Sequence, residues 1–464
     1  MSAPVGLKYT LKTIFFSKSG LLGTAILIGM LLLSAAAITS VPYDVVKTWN
    51  NPEAWQDNPR HAAPEWVTLF TGGNPPRTMV IGPRDFFKVS FYVELASLKF
   101  IRLEGNFNYQ YDDFPSEWAI ILDTVFHDSR PLATIHLVRP DGERVLIFRS
   151  VLESNRTRLD VTNRAVRSNV LEWLRGLGVE EPKFVLPEVA LFAARSPAMW
   201  DPRRATPLQG KYGIEVELVS TGRDDDANAS AILFGKVHGL AGTDANRRDL
   251  FVGLVWGAPI ALAFGLSAAV LISFIQAILG SLSAWYGGKV DEVVQRATDI
   301  YLILPFLPIL ITISIVYRID IWTLIFVVVA LSLLGGITKA SRSITLQVMQ
   351  EQYIEAAISY GASRLRILFL YILPRLLPYI VANIVLAVPS FIFLEAALSI
   401  LGLGDPIVPT WGKIISDAQE GGAALHGYWW WVLLPSTLIL LTASSFAFIG
   451  YALDRVVNPR LRER

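Results

Sequence analysis

The chain contains no cysteine among its 464 residues, which excludes structural disulfides and thiolate metal sites outright. Any folded part must therefore be held by its own core. Charge is scarce as well: Asp, Glu, Lys and Arg make up 17%, against about 25% in an average soluble protein. No G-x-x-x-x-G-K-[ST] run occurs, so the chain has no P-loop and does not hydrolyse ATP by that route. No H-E-x-x-H occurs either, and the five histidines (His61, His127, His136, His238 and His426) are scattered without ligand spacing. No metal-binding or cofactor-binding motif emerges. Asn155-Arg156-Thr157 and Asn228-Ala229-Ser230 match glycosylation sequons, a pattern short enough to arise by chance.

Apolar residues are what the chain has in quantity, 52% of the total, and they come in long runs. Crossing a bilayer takes about 20 of them. Six segments qualify as candidate spans: about Leu21–Val41, Pro259–Trp285, Ile300–Val316, Ile321–Ile337, Tyr379–Leu401 and Trp430–Leu453. The third contains Pro305 and Pro308, which lipid tolerates where neighbouring helices satisfy the freed carbonyls. A signal peptide rivals a retained anchor for the first, because Ala35-Ala36-Ala37 resembles a cleavage site. The length of that run favours the anchor.

Membrane proteins sort charge by side rather than by sum, so the net charge of +1 says little. Placing Lys8, Lys12 and Lys18 inside also places Lys289, Arg296 and the tail Arg455, Arg460, Arg462 and Arg464 inside. The opposite short loops hold only Arg318 and Lys413 as cations. Tyr428-Trp429-Trp430-Trp431 stands where the last span enters from outside, as an interfacial aromatic belt would. This sorting explains the basic residues without nucleic acid.

About 200 residues between the first two spans have a different texture. Phe87, Val89, Phe91, Val93 and Leu95 alternate with polar residues, as do Ile214, Val216 and Leu218, which predicts half-buried strands. Pro140-Asp141-Gly142-Glu143 between Ile135–Arg139 and Arg144–Phe148 predicts a hairpin. Val166, Val170, Leu171, Leu174 and Leu177 share one helical face. The expected organisation is an N-terminal segment with the first span (1–43), an extracytoplasmic inserted α+β or mainly β domain (44–238), and a helical core (239–464).

The most informative stretch is Glu355-Ala356-Ala357-Ile358-Ser359-Tyr360-Gly361, with Tyr371-Ile372-Leu373-Pro374 after it. It reads as a short helix, a glycine that lets the chain turn, a basic amphipathic run, and a proline opening the next apolar segment. The adjacent alanines allow another protein close to the backbone, and Glu355 offers charge to a basic partner. An ordinary amphipathic loop helix is the plain alternative. Lys339, Arg342, Arg364, Arg366 and Arg375 surround the stretch.

This stretch resembles the EAA loop of binding-protein-dependent ABC importer permeases, the element that docks onto the cytoplasmic ATPase. The resemblance extends to Gly242-Thr243-Asp244 with Arg248-Asp249, to Trp285-Tyr286-Gly287-Gly288-Lys289-Val290-Asp291, and to Glu395-Ala396-Ala397-Leu398-Ser399-Ile400-Leu401-Gly402-Leu403-Gly404. Pro409-Thr410-Trp411-Gly412, Gly361-Ala362-Ser363 and Asn458-Pro459-Arg460 complete it, so that it covers nearly all of about 240–460. The chain is identified by these motifs as similar to the C-type permease subunit of the dipeptide/oligopeptide/nickel importer family. Two departures stand out: Arg247 where that family usually has glycine, and Tyr371 where histidine is common. The large insertion is a third.

The resemblance implies a type I ABC importer permease fold, an α-helical polytopic membrane protein with six transmembrane helices. It implies a non-catalytic subunit that forms the path for peptides or a similar small solute. It also implies four partners beside the lipid bilayer: a homologous second permease subunit, two cytoplasmic ATPases that bind ATP and Mg, and an extracytoplasmic solute-binding protein. The coupling residues would be Glu355, Ala356, Ala357, Gly361, Ala362, Ser363, Arg366 and Pro374. Asn383 and Glu395, polar positions in or at the end of an apolar run, are candidates for the translocation path; Glu395 equally suits the outer end of its helix or a re-entrant turn. A membrane-anchored receptor or enzyme, with 44–238 as the working part, is the rival class, and co-purification of an ATPase separates the two.

Overall fold

The computed structural model describes residues 17–127, 129–179, 185–317 and 320–457. Lys8, Lys12, Arg318, the Asn458-Pro459-Arg460 motif, Arg462 and Arg464 lie outside them. The chain divides into two compact units, Met1–Asn50 with Val252–Arg464, and Asn51–Phe251.

The Asn51–Phe251 unit is mainly β. Nine strands are β1 (Met79–Ile81), β2 (Phe86–Val93), β3 (Leu98–Tyr109), β4 (Glu117–Val125), β5 (Leu132–Val138), β6 (Arg144–Val151), β7 (Arg156–Asp160), β8 (Gly210–Ser220) and β9 (Asp226–Phe234). They form a four-stranded sheet, β1-β9-β4-β7, and a five-stranded one, β2-β3-β8-β5-β6, with all named pairs antiparallel. Both sheets contribute side chains to one apolar core, from Ile120 and Ala229 to Leu103, Ile135 and Val216. The predicted hairpin joins β5 and β6, and Gly142 takes the φ of +84° that the turn requires. The predicted helix runs from Arg164 to Gly176, capped by Asn163, and buries Val166, Val170 and Leu174.

One strand departs from expectation. β2 exists where the alternation placed it, but Phe87, Val89 and Phe91 face outward, between 44% and 69% exposed. They pair with Glu104, Arg102 and Phe100 of β3, whose core-facing residues Ile101 and Leu103 sit opposite Ser90 and Lys88 instead. On the other side of this edge strand Lys88 reaches across to Asp226 on β9 at 2.5 Å, and Arg223 lies over the Tyr92 ring.

Arg139, at the end of β5, is 2% exposed. Its guanidinium donates to the carbonyls of Ala190, Leu191 and Ala193 and to the Asp141 carboxylate. Burial raises the Asp141 carboxyl, but the Arg139 guanidinium outweighs it and holds the group below its ordinary range. A depressed carboxyl contributes stability above its unfolded-state value and loses it as pH falls through the folded-state value. Arg139→Met leaves three buried carbonyls unpaired and is expected to cost about 3 kcal/mol. Faster limited proteolysis of 51–251 in the variant checks this, and an unchanged cleavage rate refutes it.

A tight turn precedes the second long helix. The Asp244 carboxylate accepts from Asn246 N, Arg248 N and Arg248 Nε, the last at 2.5 Å. Burial pushes its carboxyl up, against the pull of Arg248. Arg247 stands in this turn at φ +65°, a left-handed conformation that suits glycine. Its side chain pairs with Glu117, donates to Asn58 O at 2.7 Å and lies 4.6 Å over the Phe234 ring. Three contacts thereby hold the arginine in a backbone state it disfavours.

The other unit is helical: α1 (Lys18–Ser40), α2 (Leu250–Tyr286, entered from the preceding unit), α3 (Gly288–Ile303), α4 (Phe306–Val316), α5 (Ile321–Ala330), α6 (Gly336–Val348), α7 (Gln352–Ser359), α8 (Arg364–Ile400), α9 (Trp411–Glu420) and α10 (Trp429–Val457). Among the described residues four helices, α1, α2, α8 and α10, are long and apolar enough to cross a bilayer. α3 and α4 make a fifth if counted together, although they are bent by 77°. The expected spans over 300–316 and 321–337 are therefore not single continuous helices. Leu304 is extended ahead of Pro305, which breaks the first, and the second stops at Ala330 before Gly335-Gly336 restarts a helix. α1 packs against α10: a Cβ at Gly23 would stand 2.6 Å from the Ser445 carbonyl oxygen.

Candidate functional site

The stretch singled out in the sequence folds into α7, an eight-residue helix between α6 and α8. Its spacing decides which side faces in. Ile354 and Ala357 are buried, whereas Glu355, Ala356, Ile358 and Tyr360 are exposed. The expectation of two accessible alanines is corrected here: Ala356 is open to a partner, and Ala357, three residues after Ile354, belongs to the inner face. Gly361 ends the helix at φ +79°. Ala362 follows half-buried, and Ser363 caps the next helix, its Oγ accepting from Arg366 N at 3.4 Å.

α8 begins at Arg364, and Pro374 stands in the first turn of its α-helical stretch Leu373–Ile400, opening the apolar segment as expected. It follows a π-turn at Leu368–Ile372, which widens the helix where the proline has no N–H to give. Tyr353 of α7 stacks on Tyr371 at 6.4 Å, and Arg375 lies 5.4 Å over the Tyr353 ring. The short helix is thus seated by aromatic contacts on the start of α8, with Glu355 left outward.

Both proposed path residues hydrogen-bond within their own helix. The Asn383 amide donates to Tyr379 O of its own helix at 2.9 Å. Glu395 is 5% exposed, accepts from Ser399 Oγ at 2.8 Å and also bonds Thr410. It ties the end of α8 to the foot of α9, the reading of Glu395 as the marker of a helix end. Asp405 in the same loop accepts from Ile321 N at the start of α5.

Gln276 is a polar interruption within the apolar α2. A cavity of about 350 Å³ lies beside it, bounded by the break between α3 and α4 (Leu304, Phe306) and by the one after α5 (Leu331, Ser332). Gln276 Nε2 donates to Ser332 O at 2.7 Å, across the place where the backbone is unwound. An amide inside a long apolar helix was the available signal. Among the described residues no group of His, Asp or Glu could hold a metal ion.

Residues 276–463 match the binding-protein-dependent transport system inner membrane component family. The oligopeptide transport system permease protein OppC of Bacillus subtilis is 36% identical over 225 residues, 48% of this chain and 72% of that protein. The chain belongs to this family. The dipeptide transport system permease protein DppC of Bacillus subtilis is 32% identical over 224 residues, covering 48% of this chain and 68% of its own length. OppC of Haemophilus influenzae is 32% identical over 223 residues, 48% and 70% respectively. The motif resemblance therefore holds, and this inner membrane component is a permease subunit of an ABC importer. The family match begins after both sheets, leaving them outside it.

Proposed function

We propose that this permease subunit forms the path for di- or oligopeptides, or a similar small solute, and couples to two cytoplasmic ATPases through α7. The observation that carries the reading is α7 itself: a short helix held on its inner side, closed by a glycine turn, with Glu355 and Ala356 free to meet a partner. Relatives named for oligopeptide and dipeptide transport support the substrate class. ATP and Mg are bound by the partner ATPases. A homologous second permease subunit completes the path, and an external solute-binding protein delivers the solute.

Six passes follow if α3 with α4, and α5 with α6, each count as one broken crossing. Broken helices of this kind are tolerated where they line a cavity, as they do beside Gln276. Both chain ends and α7 then lie inside, and the mainly β unit lies outside, where it serves to dock the binding protein or to cap the path. The absence of cysteine makes single introduced cysteines clean reporters. Leu425, 91% exposed, and the fully exposed Leu95 serve as outer sites. Leu95→Cys and Leu425→Cys are expected to react with an impermeant maleimide in intact cells, and Ser363→Cys only after permeabilisation. Labelling of Ser363→Cys from outside would overturn the orientation and the coupling role together.

A further inference from the structure

α2 and α3 meet at a sharp corner, Gly287-Gly288, where both residues take positive φ, +60° and +52°. Asp291, in the first turn of α3, sits just past that corner. Its carboxylate receives Ser283 Oγ from α2 at 2.5 Å and, from α6, Arg342 Nε at 2.6 Å and the terminal nitrogen at 2.5 Å. Lys339, one turn earlier on α6, pairs with Asp299 of α3. α6 also lies hard against α2. A Cβ at Gly280 would stand 2.2 Å from the Thr338 carbonyl oxygen, and Thr345 Oγ1 donates to Ser281 Oγ at 3.1 Å.

These contacts matter because of what α6 leads into. It ends at Val348, and α7 starts at Gln352. Beyond α7 the chain returns to the same corner, where the Arg364 guanidinium lies 5.5 Å over the Tyr286 ring. The entry to α7 and its exit are both fastened to the end of α2 and the beginning of α3.

We propose that the Asp291–Arg342 fork, backed by Lys339–Asp299 and Arg364–Tyr286, makes the α2–α3 corner the part of the helical bundle that moves with α7. Asp291, Lys339 and Arg342 are positioning residues that fix the lever to its load. The proposal rests on the docking role given to α7. The physical case is that a bidentate guanidinium–carboxylate pair fixes orientation as well as distance. This pair is also sheltered, with side chains 31% and 18% exposed, where a fully exposed pair would contribute little. With it in place α6 cannot rotate about its axis without breaking two parallel hydrogen bonds. Without it α6 keeps the close approach at Gly280 but can turn, so that movement of α7 is dissipated instead of reaching the broken crossings around Gln276.

The test uses the complete importer, with partner permease, ATPases and binding protein, in proteoliposomes. Arg342→Ala is expected to retain ATPase subunits on co-purification and to keep basal ATP hydrolysis, while uptake per ATP hydrolysed falls by about tenfold. The exchange Asp291→Arg with Arg342→Asp is expected to recover uptake to within about threefold of the original, a rescue that a loss of bulk or packing does not give. Arg342→Lys keeps the charge without the fork and serves if the alanine variant of the subunit does not fold; it is expected to lie between the two. An unchanged uptake-to-hydrolysis ratio in Arg342→Ala, or an exchange variant as poor as either single one, overturns the proposal. Loss of ATPase association in Arg342→Ala also overturns it, because that would make Arg342 part of the docking surface. The docking role of α7 is read separately, from ATPase association in Glu355→Lys.

Discussion

Replacing Glu355 by lysine is expected to abolish ATP-driven uptake while leaving the permease folded. Glu355 is exposed on α7 and makes no ion pair among the described residues, so the exchange costs the fold no more than about 0.5 kcal/mol. If α7 docks as proposed, into a basic groove of the ATPase, the new cation is repelled, and like charges at an interface cost several kcal/mol. Affinity then falls by roughly a hundredfold or more. ATPase retention on the purified permease and uptake into vesicles measure the two effects, and the melting temperature controls for folding. Full retention with normal uptake would remove α7 from the docking surface.

Gly280→Val is expected to have an effect of similar size by a different route. The Thr338 carbonyl oxygen that a Cβ would meet is backbone on α6, and no side chain can swing aside to admit it. The two helices must separate, at a cost of about 3 kcal/mol, and with them go the Ser281–Thr345 bond and the seat of Asp291. The subunit should fail to survive extraction in folded form. Gly29→Val is the control: it places the same side chain in a helix where nothing lies within 4 Å of the Cβ, and it should behave as the parent. Equal behaviour of the two variants would show that α2 and α6 do not approach as closely as described.

The features legible in the sequence were local ones. Asp141-Gly142 specifies its own turn, and the helix at Arg164–Gly176 announces itself through Val166, Val170 and Leu174 at helical spacing. The segment from Gln352 to Gly361 is equally self-contained, and its helix and closing glycine came out as read. Inner and outer faces were less accessible. The alternation in β2 gave the strand but not its face, which follows the register with β3, where Lys88 and Ser90 stand opposite the buried Leu103 and Ile101. Ala356 and Ala357 look alike until Ile354 shows which side is packed. The breaks around Pro305 and Gly335-Gly336 were hidden by hydropathy, which sees composition and is blind to a change of direction. Asp291 and Arg342 carried no local signal, being 51 residues apart and joined only by the fold. The basic residues near α7 were read as markers of the cytoplasmic side. Lys339, Arg342, Arg364 and Arg375 each also have a fixed partner within the chain.

Arg247 is held by partners far from it in the sequence. Its backbone conformation costs an L-residue about 1 kcal/mol, and the compensation comes from Asn58, Glu117 and Phe234, all contributed by the inserted sequence. Removing 51–238 removes all three partners and leaves the arginine with the cost alone. A trimmed subunit in which a short linker replaces 51–238 should therefore carry glycine at 247, and the same deletion made with arginine in place would start from a strained turn at the mouth of α2.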